Sequence, residues 1–271
     1  MSDIFDKAIL QVASEEGPSR RQAMLMGGAA LAAAAASNLI PGKAHAATIN
    51  EAQKPVDFLF AIYPHGTLLD FAGPHEILTL LPNTKVRFAS PAGGLVTLEN
   101  GVVFGPTEKL ADVTGVDVIC VPGGLNLSAM MKPEILAHIK RLSETAKYVT
   151  SVCTGSIILA ASGVLNGKRS ACHWAFLNDL KKYGAIPDPS RIVKDGRFMS
   201  GGGVTAGIDF GLAIAAELRG AQAAQEAQLL VQYDPQPPFH AGNPSDAPPN
   251  VRNAVYKMLP GSEHGLMQPI L

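Results

Sequence analysis

Charge is scarce in this chain. Only 17% of its 271 residues are Asp, Glu, Lys or Arg, and 22 basic against 23 acidic side chains leave a net charge of −1. A protein that grips nucleic acid through its phosphates needs a basic face, and none is present. No block of like charge forms an acidic or basic tail either. Cysteine is scarce as well. Three of them, Cys120, Cys153 and Cys172, cannot all pair within one chain, so at least one thiol is expected to stay free. The histidines His65, His75 and His173 lack the spacing of metal ligands, so no metal is expected. The glycine-rich "SGGGVTAG" (200–207) has neither the lysine of a phosphate-binding loop nor the spacing of a dinucleotide site. It reads as close backbone packing.

What remains is apolar and punctuated. Hydrophobic residues make up 47% of the chain, enough for one sizeable core or two modest ones, and 27 Gly and 20 Pro mark tight turns. The N-terminus stands apart. In "SRRQAMLMGGAALAAAAASNLIPGKAHA", the pair Arg20-Arg21 precedes an Ala-rich stretch that ends in Ala44-His45-Ala46. That layout predicts a twin-arginine export signal over 1–46 and a periplasmic or secreted mature protein. The apolar part is too short and too weakly hydrophobic to anchor in a bilayer.

Beyond a short linker (47–55), apolar strands alternate with amphipathic stretches. "VDFLFAIY" (56–63), "KVRFAS" (85–90), "VDVICVPGG" (116–124) and "YVTSVC" (148–153) read as strands. "GPHEILTLL" (73–81), "KPEILAHIKRLSETA" (132–146), "TGSIILAASGVL" (154–165), "HWAFLNDLKKYG" (173–184), "TAGIDFGLAIAAELRG" (205–220) and "AQAAQEAQLLVQY" (221–233) read as helices. Pro74 is expected in a first helical turn, and Gly184 as a helix stop. Asn100-Gly101 and Asp195-Gly196 predict two hairpins. The alternation implies one α/β domain (56–235) with a largely parallel sheet covered on both faces, followed by a Pro-rich tail (236–271).

In such a sheet, ligands gather where strands end. Three ends carry chemistry. Cys153 sits at a strand-to-helix turn, "C-T-G-S", shaped like the nucleophile elbow of α/β enzymes. Amide dipoles there are expected to lower its pKa, and its backbone is expected to be strained. Asp70, in "LLDFAGP", is either an N-cap or a buried carboxyl able to move a proton beside the thiol. Gly123 and Gly124 could present N–H groups to a developing anion. Cys120 reads as a core thiol, and Cys172, beside His173, as structural.

Taken together, "LLDFAGPHEIL", "DVICVPGG", "YVTSVCTGS", "HWAF", "GGGVTAGIDF" and "QYDPQPPF" resemble the ThiJ/PfpI superfamily, most closely its isonitrile-hydrating branch, over about 58–239. The resemblance implies a flavodoxin-like three-layer sandwich, class I glutamine-amidotransferase-like in plan, and a homodimer. It implies nucleophile, acid and neighbouring hydroxyl at Cys153, Asp70 and Thr154. The implied reaction hydrates an isonitrile through a covalent thioimidate, without a cofactor. Ala72 stands where the family often has Thr, and Thr154 replaces the His of its peptidase-like members. Other branches hydrate or deglycate α-oxoaldehydes, and an exposed thiol at this position could instead sense peroxide without turnover.

Overall fold

Alternate residues of the first strand face opposite ways, and each set finds its own core. Leu59, Ala61 and Tyr63 pack into one apolar layer, whereas Phe58, Phe60 and Ile62 pack into another. This period of two, with both sets buried, is what a central strand of a covered parallel sheet requires. The structure, a computed structural model, describes residues 54–259. The expected export signal (1–46) and all but the end of the linker (47–55) lie outside those residues.

The elements run β1 (Val56–Ala61), α1 (Leu68–Thr79), β2 (Thr84–Ser90), β3 (Gly94–Thr97), β4 (Val103–Lys109), β5 (Val118–Val121), α2 (Pro133–Thr145), β6 (Tyr148–Val152) and α3 (Gly155–Ala161). There follow β7 (Arg169–Ser170), a 3₁₀ helix (Trp174–Tyr183), β8 (Ile186–Pro187), β9 (Ile192–Asp195), β10 (Phe198–Gly201), α4 (Ala206–Arg219), α5 (Ala221–Leu230) and α6 (Pro249–Met258). Eight strands form one sheet in the order β3-β4-β2-β1-β5-β6-β10-β9. Its centre is parallel, and the two expected hairpins supply its antiparallel pairs, β3 with β4 and β9 with β10. Side chains of α2, α3 and the 3₁₀ helix bury one face, and those of α1, α4 and α5 bury the other. The fold is a flavodoxin-like α/β sandwich. No helix among the described residues is long and apolar enough to cross a membrane.

Three local readings change. The first helix does not begin at Gly73-Pro74 but at Leu68, which leaves Pro74 in its interior and Asp70 in its first turn. Early entry buries Phe71 against Phe60, Phe88 and Phe104, with ring centroids 6.5, 5.8 and 5.2 Å away. Pro74 has no N–H to give the Asp70 carbonyl. The freed oxygen faces α4, where a Cβ on Gly207 would lie 3.4 Å from it and one on Gly211 would lie 3.0 Å from the Pro74 Cα. The α1–α4 contact is therefore backbone against backbone, as the "SGGGVTAG" reading anticipates. Second, residues 174–183 wind as 3₁₀ rather than α, although Gly184 ends them in the left-handed conformation as expected (φ 76°). Third, the Pro-rich tail contains α6, which buries none of its residues and meets the body through an edge-on contact of Tyr256 with Trp174 at 4.7 Å.

Phe71 carries α1, and with it Asp70, onto the sheet. Replacing Phe71 by Ala is expected to cost about 3–5 kcal/mol in urea unfolding. A loss below about 1 kcal/mol would show that the aromatic cluster does not hold this helix down.

Candidate active site

The order of strands reverses between β1 and β5, the switch point beside which open parallel sheets bind their ligands. Asp70 reaches it from α1, Gly123 and Gly124 from the end of β5, and Cys153 and Thr154 from the end of β6. The five residues singled out in the sequence come together there.

Cys153 takes the elbow conformation. Its φ is +58°, in the left-handed region that a side chain disfavours. Its amide donates to the carbonyls of Gly201 (3.1 Å) and Gly202 (2.8 Å) at the end of β10, and its carbonyl accepts from Ser156 Oγ (3.0 Å). The neighbouring strand crowds the elbow. A Cβ on Gly155 would collide with the Val121 carbonyl, and one on Gly123 would lie 2.6 Å from the Thr154 amide and 2.8 Å from Asp70 Oδ2.

Gly123 and Gly124 do not offer free N–H groups to an anion. The Gly123 amide donates to Asp70 Oδ2 at 2.7 Å, and the Gly124 amide donates to Thr154 Oγ1 at 2.9 Å. Thr154 in turn donates its hydroxyl proton to the Gly124 carbonyl at 2.8 Å. Both glycines are spent on holding the acid and the elbow in register, and Thr154 acts chiefly as the staple between β5 and β6.

The expectation of a thiol acidified by amide dipoles is also corrected. Burial pushes the Cys153 thiol well above its usual range, and the neighbouring charge of Asp70 pushes it further. The Thr154 amide and hydroxyl pull the other way without reversing the shift. The helix behind the elbow is only seven residues long, so its dipole is weak against that desolvation. Asp70 is fully buried, and burial raises its pKa from 3.8 to about 7. The Gly123 amide and the Cys153 thiol favour its ionised form, while Glu99 opposes it. At neutral pH the resting pair is thus a protonated thiol beside a carboxyl poised to gain or lose a proton.

Of the other two thiols, Cys172 adds a smaller upward push on Cys153 behind burial and Asp70. Cys120 lies inside β5, fully buried, with its pKa raised to about 12. Cys172 is buried beside His173, whose Nδ1 caps the 3₁₀ helix by accepting from the Ala175 amide. All three cysteines are free. A groove of about 790 Å³ opens beside the elbow, with Cys172, His173, Trp174, Arg191 and Gly202 in its walls and Gly242–Ser245 of the tail at its rim. Neither Asp70 nor Cys153 lines it. Gly202, which holds the Cys153 amide, is the partition between the two.

The sequence reading does not single out Tyr63. It stands at the carboxyl end of β1, where ligands gather, and that position is the signal that could have drawn attention to it.

The model of the DJ-1/PfpI family matches residues 58–217. An isonitrile hydratase of Pseudomonas putida is 44% identical over 199 residues, which is 73% of this chain and 87% of that protein. Protein dj-1beta of Drosophila melanogaster is 31% identical over 157 residues, 55% of this chain and 84% of that one. Among solved structures, a ThiJ/PfpI family protein from Pseudomonas syringae superposes with a TM-score of 0.74 at 34% identity, covering 85% of this chain and 96% of its own.

The raised Asp70 pKa fixes a pH signature in stability. Between pH 3.8 and about 7 the folded protein holds a proton on Asp70 that the unfolded chain has released. Stability contributed by this group therefore falls as pH rises through that window, by about 4 kcal/mol in all. Asp70→Asn keeps an acceptor for the Gly123 amide and removes the titration. The variant is expected to melt above the parent at pH 8 and level with it near pH 4; an equal gap at both pH values would show that Asp70 does not titrate in this range.

Proposed function

The chain belongs to the DJ-1/PfpI family, and from that membership and the pairing of Asp70 with Cys153 we propose that it adds water to isonitriles, R–N≡C, to give N-substituted formamides. The observation that carries this reading is a protonated, desolvated thiol held beside a carboxyl whose pKa lies near 7.

An isonitrile is unusual in needing a proton on carbon before that carbon accepts a nucleophile. The site supplies both from one S–H bond. The Asp70 carboxylate takes the thiol proton and delivers it to the terminal carbon, and the sulfur, now anionic, bonds to the same carbon. The product is a thioimidate, R–N=CH–S, on Cys153. Water then adds to that carbon, and one of its protons passes by way of Asp70 to nitrogen. The C–S bond breaks, sulfur recovers the hydroxyl proton, and R–NH–CHO leaves. Atoms balance: one isonitrile and one water give one formamide, and the thiol and carboxylate return to their starting forms. A low-pKa thiolate has no advantage here, because the proton it would have lost to solvent is the one the substrate needs.

The isonitrile hydratase of Pseudomonas putida supports isonitriles as the substrate class. Burial of Cys153 and its raised pKa weigh against peroxide sensing, which favours an exposed thiolate. An α-oxoaldehyde is the competing electrophile, and the assay includes one.

Incubation of the purified protein with benzyl isonitrile and, separately, methylglyoxal is expected to yield N-benzylformamide and leave the aldehyde unchanged. Cys153→Ala is expected to abolish turnover, and formamide formation by that variant would end the proposal. Asp70 must be ionised to accept the thiol proton, so kcat/KM is expected to rise with pH through an inflection near 7. Asp70→Asn is expected to lose that limb and about 10²–10⁴-fold in rate.

A further inference from the structure

Two polar atoms at the site are buried without a hydrogen-bond partner among the described residues: the Tyr63 hydroxyl and Asp70 Oδ1. Each would cost stability if it stayed unsatisfied through the catalytic cycle, and such orphans in a functional site point to a ligand or a bound water. Both belong to fully buried side chains.

They also converge. The Pro64-His65-Gly66 turn folds back over the end of β5, where the Thr67 amide donates to the Gly123 carbonyl at 2.9 Å and Gly66 bridges Gly124. This brings Tyr63 against the same two-glycine turn that Asp70 holds. Asp70 Oδ2 bonds the Gly123 amide at 2.7 Å, and a Cβ on Gly124 would stand 3.2 Å from the Tyr63 hydroxyl. Glycine at 124 therefore leaves one flank of the hydroxyl uncovered. Burial holds the phenol well above its usual pKa, and Asp70, Cys153 and Glu99 push it further. The hydroxyl stays protonated at any working pH and acts as a neutral donor and acceptor.

We propose that the Tyr63 hydroxyl and Asp70 Oδ1 together hold the water that hydrolyses the thioimidate, which makes Tyr63 a catalytic residue of the second half-reaction. The inference rests on the isonitrile reading above. A water bound there has a donor and an acceptor in the hydroxyl and a base in the carboxylate, the two or more partners that a buried water needs. Asp70 Oδ1 draws a proton from it as its oxygen bonds to the thioimidate carbon, and passes that proton to nitrogen. The phenol keeps its own proton throughout. Tyr63 has no part in the first half-reaction, where the only proton moved is that of the thiol.

The two half-reactions therefore separate in Tyr63→Phe, which removes one oxygen and keeps the ring in its apolar layer. Rapid quenching with benzyl isonitrile, followed by mass spectrometry of the Cys153 peptide, reads both steps. The variant is expected to form the adduct at the parent rate and release formamide about 100-fold more slowly. The Cys153 peptide is then found carrying the mass of the isonitrile at steady state. Release at the parent rate would overturn the assignment, and so would adduct formation slowed as much as release, which marks a structural role. If the parent protein itself forms no adduct, the isonitrile reading fails and this inference fails with it.

Discussion

One buried hydrogen bond, from the Gly123 amide to Asp70 Oδ2 at 2.7 Å, is what makes the site a site. It joins the helix after β1 to the loop after β5 across the point where the sheet reverses direction. A carboxylate taken out of water needs compensation, and one amide compensates only in part. The consequence is a carboxyl pKa near neutrality, which is what proton transfer at physiological pH requires. A second or third amide would have produced an inert anion, and none at all would have left a permanently neutral acid.

The thiol answers to the same constraint. With the carboxyl beside it and solvent excluded, Cys153 cannot hold a charge at rest, so its reactivity depends on proton transfer within the pair rather than on a stored thiolate. The positive φ at Cys153, the two carbonyls at the end of β10 that fix its amide and the Thr154 staple all hold the sulfur on the side of Asp70. Backbone strain at the elbow is balanced by those hydrogen bonds, not by the short helix that follows.

Much of this architecture is legible in the residues. Strand periodicity, the Asn100-Gly101 and Asp195-Gly196 turns and the apolar faces of the helices depend on local sequence, and they appear in the structure where the pattern puts them. The meeting of Asp70 with Cys153 follows from a general property of parallel sheets. What the pattern conceals is burial. Whether an amide at Gly123 is free or already spent, and whether a helix dipole outweighs desolvation, depends on partners 30 to 53 residues away in the chain. Pro74 misleads for a related reason. Its tolerance inside α1 comes from the glycines of α4, which no local reading of "FAGPHE" contains. Tyr63 escapes notice because a tyrosine closing an apolar strand looks like core, and its ring is core; only its oxygen is not.

The crowding around the elbow also bears on how such a protein can change over time. Leucine and isoleucine positions in the two apolar layers admit volume-conserving exchange at modest cost. At Gly123 and Gly155 the added methyl of an alanine would meet main chain, which has no rotamer to move aside. Mutational freedom is therefore lowest where the side chains are smallest, and change has to enter around the elbow rather than at it, leaving the residues that pass the proton as they are.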